Sequence, residues 1–101
     1  MSETQFTRNA HGGTFVVGVS TPFTVELAEN PTTGVRWHIE PSGLVLAASY
    51  IGGEAAGAGG RRRFTLLSTR CGVVPIRAAL TRTWERHRAP MERCEFTVRV
   101  I

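Results

Sequence analysis

Apolar residues in this chain return at every second position, and no stretch of useful length repeats at the interval of an amphipathic helix. A period of two sends alternate side chains to opposite faces of an extended strand, so one face can be buried while the other meets water. Gly, Pro and Ser clusters interrupt the alternation about every 8–12 residues, the punctuation of an all-β sandwich. Strand A is expected from Thr14 to Val19, with Phe15, Val17 and Val19 on one face. Strand B begins at Phe23 and carries Val25 and Leu27 inward, against Thr24 and Glu26. Strand C runs from Val35 to Glu40, with Val35, Trp37 and Ile39 inward and Arg36, His38 and Glu40 outward.

Strand D spans Leu44 to about Tyr50, and strand E Arg61 to Leu67. Strand F follows Gly72 with Val74, Ile76, Ala78 and Leu80 inward. Strand G alternates Cys94, Phe96, Val98 and Val100 against Glu95, Thr97 and Arg99. The expected fold is thus a seven-stranded antiparallel β-sandwich, with residues 14–101 as one domain and residues 1–13 as a flexible N-terminal segment. In such a fold successive connections alternate between the two ends. The B–C, D–E and F–G connections therefore share one end, and they are the longer and odder ones.

At 101 residues the chain can bury one core and not two. Hydrophobic residues make up 42% and charged residues 20%, ordinary for a globular domain. No apolar run approaches the ~20 residues that span a bilayer, so no membrane partner is expected. The first eight residues are polar and lack the basic-then-apolar layout of a signal peptide. The expected location is the compartment of synthesis, unless a leader has been removed. Net charge is +4, with every basic residue Arg and every acid Glu. That balance favours acidic partners of any kind through long-range attraction.

If the two cysteines lie on neighbouring strands F and G, Thr81 stands opposite Met91 and Cys94 opposite Ala78. Cys71 is then on the order of 20 Å away along the strand, far beyond the ~7 Å Cα limit of a disulfide. Two free thiols are expected.

The loops at the shared end have distinct physical characters. Asn30-Pro31-Thr32-Thr33-Gly34 is stiff: proline fixes its own φ and restricts Asn30, while Gly34 permits a left-handed turn. Gly57-Ala58-Gly59-Gly60 has almost no side chains, so another backbone can approach it closely. It leads into a strand and lacks a Gly-Lys-Ser/Thr ending, which counts against a phosphate loop. Arg82-Thr83-Trp84 opens the F–G connection with two residue types enriched at binding hot spots. Trp37, by contrast, sits mid-strand and in phase with the core. Each loop string is also compatible with a plain turn, and Arg61-Arg62-Arg63 with a solvated strand start whose charge discourages edge pairing.

Catalysis finds little support. The chain has no Asp, its histidines (His11, His38 and His87) are scattered, and no Cys/His spacing matches a zinc site. Neither Ser nor Cys has an adjacent His base. No cofactor or metal is expected.

Taken together, the three loop strings resemble those of the chagasin-type inhibitors of cysteine peptidases, an immunoglobulin-like family. That family carries Asn-Pro-Thr-Thr-Gly in B–C, Gly-x-Gly-Gly in D–E and Arg-Pro-Trp in F–G. Here the first is intact at Asn30 to Gly34, with Trp37 at the family's spacing. The second is intact at Gly57 to Gly60, and the third has Thr83 in place of proline. The match extends over roughly residues 14–100. The resemblance implies a non-enzymatic, reversible, competitive plug for papain-like peptidases, acting as a monomer. On that reading Thr32 enters the catalytic cleft, flanked by Gly57 to Gly60 on one side and by Arg82 and Trp84 on the other. An adhesion or assembly module binding through an edge strand or the Arg-rich face is the alternative. Nucleic-acid binding through Arg61–Arg63, Arg86 and Arg88 ranks last, because few exposed aromatics are available for base stacking.

Overall fold

A computed structural model describes residues 4–53, 59–82 and 90–101. Within them the chain forms two four-stranded sheets. The first has the order β1 (Thr4–Phe6), β3 (Phe23–Glu29), β6 (Gly60–Leu66), β5 (Val45–Ile51). The second has the order β2 (Thr14–Val17), β8 (Glu92–Val100), β7 (Gly72–Arg82), β4 (Val35–Glu40).

Strands B to G of the sequence reading correspond to β3 to β8, each within a few residues of its expected bounds. The expected alternation holds where it matters most. Val35, Trp37 and Ile39 of β4 are buried, as are Ile76 and Ala78 of β7 and Cys94, Phe96, Val98 and Val100 of β8. The β7–β8 register places Ala78 opposite Cys94, as expected, and both cysteines are free.

Three expectations are corrected. The described residues form eight strands, not seven, because the chain's first stretch contributes one strand to each sheet. The sandwich is not wholly antiparallel: β1 runs parallel to β3, and β2 parallel to β8. Residues 4–13 are also built into the domain instead of preceding it. A short 3-10 turn at Arg8–Ala10 and a left-handed Gly12 (φ 80°) carry the chain from one sheet to the other. Across this crossover Phe6 and Ala10 are buried in the core. Phe6 is the hub of an aromatic cluster, with ring centroids 5.1 Å from Phe15, 5.9 Å from Phe23 and 5.0 Å from Phe96. Three residues are too few to display a period, so β1 leaves no alternation in the sequence.

The Arg61–Arg63 run is corrected as well. It lies on β6, an interior strand bounded by β3 and β5, so it blunts no edge. Arg61 and Arg63 close ion pairs over Glu26 at 3.3 and 3.1 Å, and Gln5 of β1 donates to the same carboxylate. Glu26 faces outward as expected, yet these neighbours leave it only 5% exposed.

Two outcomes follow for solution work. Phe6→Ala is expected to cost about 3–5 kcal/mol, as for a large aromatic removed from a packed core; urea denaturation measures it. Under native conditions a thiol reagent is expected to label Cys71, which is exposed, promptly. Cys94 reacts only on unfolding, because it is buried and burial holds its thiol pKa above the ordinary value.

Candidate functional site

The strand ends that carry the three candidate loops meet at one rim. Glu29, the last residue of β3, pairs with Gly60, the first of β6. Ile51, the last of β5, pairs with Arg61. Val35, the first of β4, pairs with Arg82, the last of β7. The described members of the candidate set, Asn30 to Gly34, Gly59, Gly60 and Arg82, therefore share this rim. Gly57, Ala58, Thr83 and Trp84 lie outside the described residues.

The segment between β3 and β4 is held by its own polar groups. Pro31–Thr33 forms a 3-10 turn, with the Thr33 N–H donating to the Asn30 carbonyl at 3.2 Å. The Asn30 side-chain oxygen accepts from the Thr32 N–H at 3.2 Å and from the Thr32 hydroxyl at 2.6 Å. The Thr33 hydroxyl donates to the Asn30 carbonyl at 2.7 Å. Asn30 thus acts as an N-cap for one turn, the task for which its short amide is suited. Gly34 takes the left-handed conformation anticipated for it (φ 77°). Thr32 and Thr33 stay exposed at the tip.

The glycine-rich segment comes alongside. A Cβ placed on Gly59 would be 3.5 Å from Asn30 Cβ and 3.6 Å from the Glu29 carbonyl oxygen, ordinary contact distances. At Gly60 a Cβ would collide with the Ile51 carbonyl oxygen and lie 2.5 Å from the Tyr50 hydroxyl. Only glycine fits where β5 and β6 close on each other.

Beneath the loops lies a polar brace that joins the two sheets. The side chain of Glu29 is wholly buried. Its Oε1 accepts from Arg62 Nη2 at 2.6 Å, and both oxygens lie 3.2 Å from Arg62 Nε. Its Oε2 also accepts from the backbone N–H of Trp37 at 2.9 Å. The Trp37 indole N–H returns a bond to the Ala28 carbonyl at 2.8 Å. On the other flank, the Arg62 guanidinium stands 5.5 Å from the centroid of the Tyr50 ring. One network therefore touches β3, β4, β5 and β6, the strands on either side of two candidate loops. Burial by itself would raise the Glu29 pKa. The Arg62 and Trp37 hydrogen bonds and the positive charges of Arg62 and Arg36 outweigh it, and the carboxyl stays below its ordinary 4.5. The same bond to Glu29 holds Arg62 firmly charged despite its burial.

Sequence reasoning named neither Glu29 nor Arg62 as part of the site. The signal was present in the phase: Glu29 shares the parity of Phe23, Val25 and Leu27, and Arg62 that of Phe64 and Leu66. Opposite charges at inward positions of two β-strands require a partner if they are to be buried at all. Among the described residues no group of three His, Cys or Glu side chains is placed to hold a metal ion.

The described residues thus form an all-β sandwich in which the strand ends flanking the three candidate loops gather at one rim. The chain belongs to the chagasin family of peptidase inhibitors (I42), whose family model matches residues 16–100. That is a family of inhibitors and not of enzymes. A search of curated proteins finds no match. Among solved structures, the chain is similar to the crystal structure of EhICP2, a cysteine protease inhibitor from Entamoeba histolytica. The TM-score is 0.83 at 20% identity, over 97% of this chain and 94% of that one. It is similar to the solution structure of amebosin, with a TM-score of 0.79 at 22% identity and full coverage of both chains. It also resembles PbICP-C, solved in complex with falcipain-2, with a TM-score of 0.62 at 16% identity over 98% of this chain and 92% of that one.

The brace makes a definite prediction. With its pKa lowered in the folded state, Glu29 contributes stability that is complete above the ordinary carboxyl value of 4.5 and is lost as pH falls through the folded pKa. Glu29→Gln is expected to cost roughly 3 kcal/mol at neutral pH, since it leaves Arg62 buried without its counter-charge. It should also flatten the acid side of the stability profile. Urea melts of both proteins from pH 3 to pH 8 measure the two effects together.

Proposed function

We propose that this protein is a reversible, competitive inhibitor of papain-like cysteine peptidases, working as a monomeric immunoglobulin-like domain whose first strand is split between the sheets as β1 and β2. The rim loops fill the catalytic cleft. Thr32 and Thr33, at the tip of a turn already ordered by Asn30, enter beside the peptidase's thiol. Gly57 to Gly60 lie along one wall, where the absence of side chains lets backbone meet backbone. Arg82, Thr83 and Trp84 grip the other, with the indole as the aromatic anchor. An interface of about the standard 1,600 Å² is within reach of three loops on one rigid end.

The single observation that carries this reading is the convergence of Asn30–Gly34, Gly59–Gly60 and Arg82 on one rim. A turn whose polar groups are satisfied within itself loses little freedom on binding, and that favours tight inhibition without covalent chemistry. It also offers no extended peptide bond to the nucleophile. Thr83 departs from the family's proline, and the added freedom of the unbound loop costs ~0.5–1 kcal/mol of ordering.

Titration of papain with the purified protein tests the proposal. Thr32→Arg and Trp84→Ala are each expected to raise the inhibition constant at least about tenfold, in the range of hot-spot losses, with melting temperatures unchanged. Full inhibition by both variants would contradict the placement of these loops in the cleft.

A further inference from the structure

The glycine-rich connection leaves β5 after Ile51 and enters β6 at Gly60, and a glycine stands at each end of it, Gly52 and Gly60. Gly60 lies opposite Glu29 and two residues before Arg62, so by the period of two a side chain there would point into the sandwich. None does, and the space belongs to another residue.

That residue is Tyr50. A Cβ placed on Gly60 would lie 2.5 Å from its hydroxyl oxygen and 2.7 Å from its Cζ, well inside contact distance. A Cβ placed on Gly52 would lie 3.7 Å from its Cε2, in ordinary contact. The ring therefore rests beside both residues at which the connection departs from the sheet. Tyr50 stands opposite Arg62, whose guanidinium is 5.5 Å from the ring centroid. The same guanidinium is fixed by Glu29 through a 2.6 Å bond. The Tyr50 hydroxyl has no hydrogen-bond partner among the described residues, so what the side chain contributes is the volume and face of its ring.

We propose that Tyr50 is a positioning residue for inhibition: its ring is a spacer between the two ends of the glycine-rich connection and sets the direction in which they leave the sheet. Glycine has more backbone freedom to lose than any other residue. Binding through such a segment costs that freedom unless something outside it has already restricted it. The β3–β4 turn is ordered from within, by the side chain of Asn30. Gly57 to Gly60 has almost no side chains with which to do the same, so its restraint comes from beneath. The inference rests on the inhibitory reading above and adds to it the residue that prepares the second of the three loops.

The test compares the whole protein with its Tyr50→Ala, Tyr50→Phe and Phe15→Ala variants, each below its melting transition. Phe15 belongs to the aromatic cluster at the end of the sandwich away from the rim. Two quantities are read: the inhibition constant for papain, and amide hydrogen exchange at Gly59 and Gly60 in the free protein. Tyr50→Ala is expected to raise the inhibition constant about fivefold, in the range of a loop-ordering cost. It should also speed exchange at the two amides about tenfold, as a local opening does. Tyr50→Val takes its place if the alanine variant does not fold. Tyr50→Phe keeps the ring and loses only an unbonded hydroxyl, so both quantities should stay within about twofold of wild type. Phe15→Ala should lower the melting temperature and move neither quantity more than about twofold, because distant sites act independently. Undiminished inhibition by Tyr50→Ala would overturn the proposal and leave the rim reading intact. Weaker inhibition without faster exchange would make Tyr50 a direct contact and overturn its positioning role. Equal losses in Phe15→Ala would reduce the effect to general stability, and equal losses in Tyr50→Phe would assign it to the hydroxyl; either overturns the proposal. Failure of wild type to inhibit papain would instead defeat the rim reading, and this inference with it.

Discussion

Glu29 is the residue on which the geometry of the rim depends. It is the last residue of β3, so whatever fixes its side chain fixes the point at which the Asn30–Gly34 turn departs. Its carboxylate reaches across the gap between the sheets to the N–H of Trp37, on an edge strand of the second sheet. It takes up Arg62 from the strand that leaves the glycine-rich segment. The turn is thus held at both ends by one buried group. A buried ion pair adds little net stability over a well-packed apolar pair of equal volume, while losing one partner is severe. Its value here is geometric: an apolar residue at position 29 could fill the space, but could accept a hydrogen bond neither from Trp37 nor from Arg62.

The two ends of the sandwich are held by different physics. Toward the start of β3 the core is aromatic, with Phe6, Phe15, Phe23 and Phe96 interlocked. Toward the rim it gives way to Trp37, Arg62, Glu29 and Tyr50, whose contacts are directional. Hydrophobic burial is tolerant of small displacements, because it scales with area and has no preferred angle. Hydrogen bonds to a carboxylate are not, since they weaken steeply with misalignment. A rim that must present three loops in register is better served by the second kind of cohesion.

Much of this fold was legible in the sequence, for a simple reason. On β4 and β8 one face is apolar and the other polar, and on β7 the inward positions Val74, Ile76, Ala78 and Leu80 keep the same period of two. Register followed from counting back from the β7–β8 loop, which is why Cys94 was rightly set opposite Ala78. The first sheet was harder. β1 is three residues long and pairs parallel to β3, a contact between segments with no turn to announce it. On β6 the sequence shows three consecutive arginines, and period two splits them between faces: Arg61 and Arg63 outward over Glu26, Arg62 inward to Glu29. A run of like charge read as one solvated block is three separate environments once the strand is built. Within the candidate site, Asn30, Gly34 and Gly59 were legible as turn and loop residues, whereas Gly60 and Arg82, read as loop residues, are the terminal residues of β6 and β7. Their support by Glu29 was not, because a charge at an inward position is read as a phase slip until its partner is known.

That division also separates the triple-arginine run from the dispersed arginines of the second sheet. Charges adjacent in sequence on a strand are driven to opposite faces, so a cluster in the chain is dispersed in space. Charges on neighbouring strands are gathered onto one face where the register aligns their orientation, as with Arg77 and Arg99 on β7 and β8. Arg36, Arg77, Arg93 and Arg99 span most of the chain, yet their outward parity on β4, β7 and β8 assembles them on a single surface. The Glu residues follow the same rule. Glu26 and Glu29 lie on β3, where they offset two of the three positive charges of β6, whereas on the outward face of the second sheet Glu40 and Glu95 flank Arg77. Strand order and parity thus decide which charges of this chain are offset by a neighbour and which stand on an outward face.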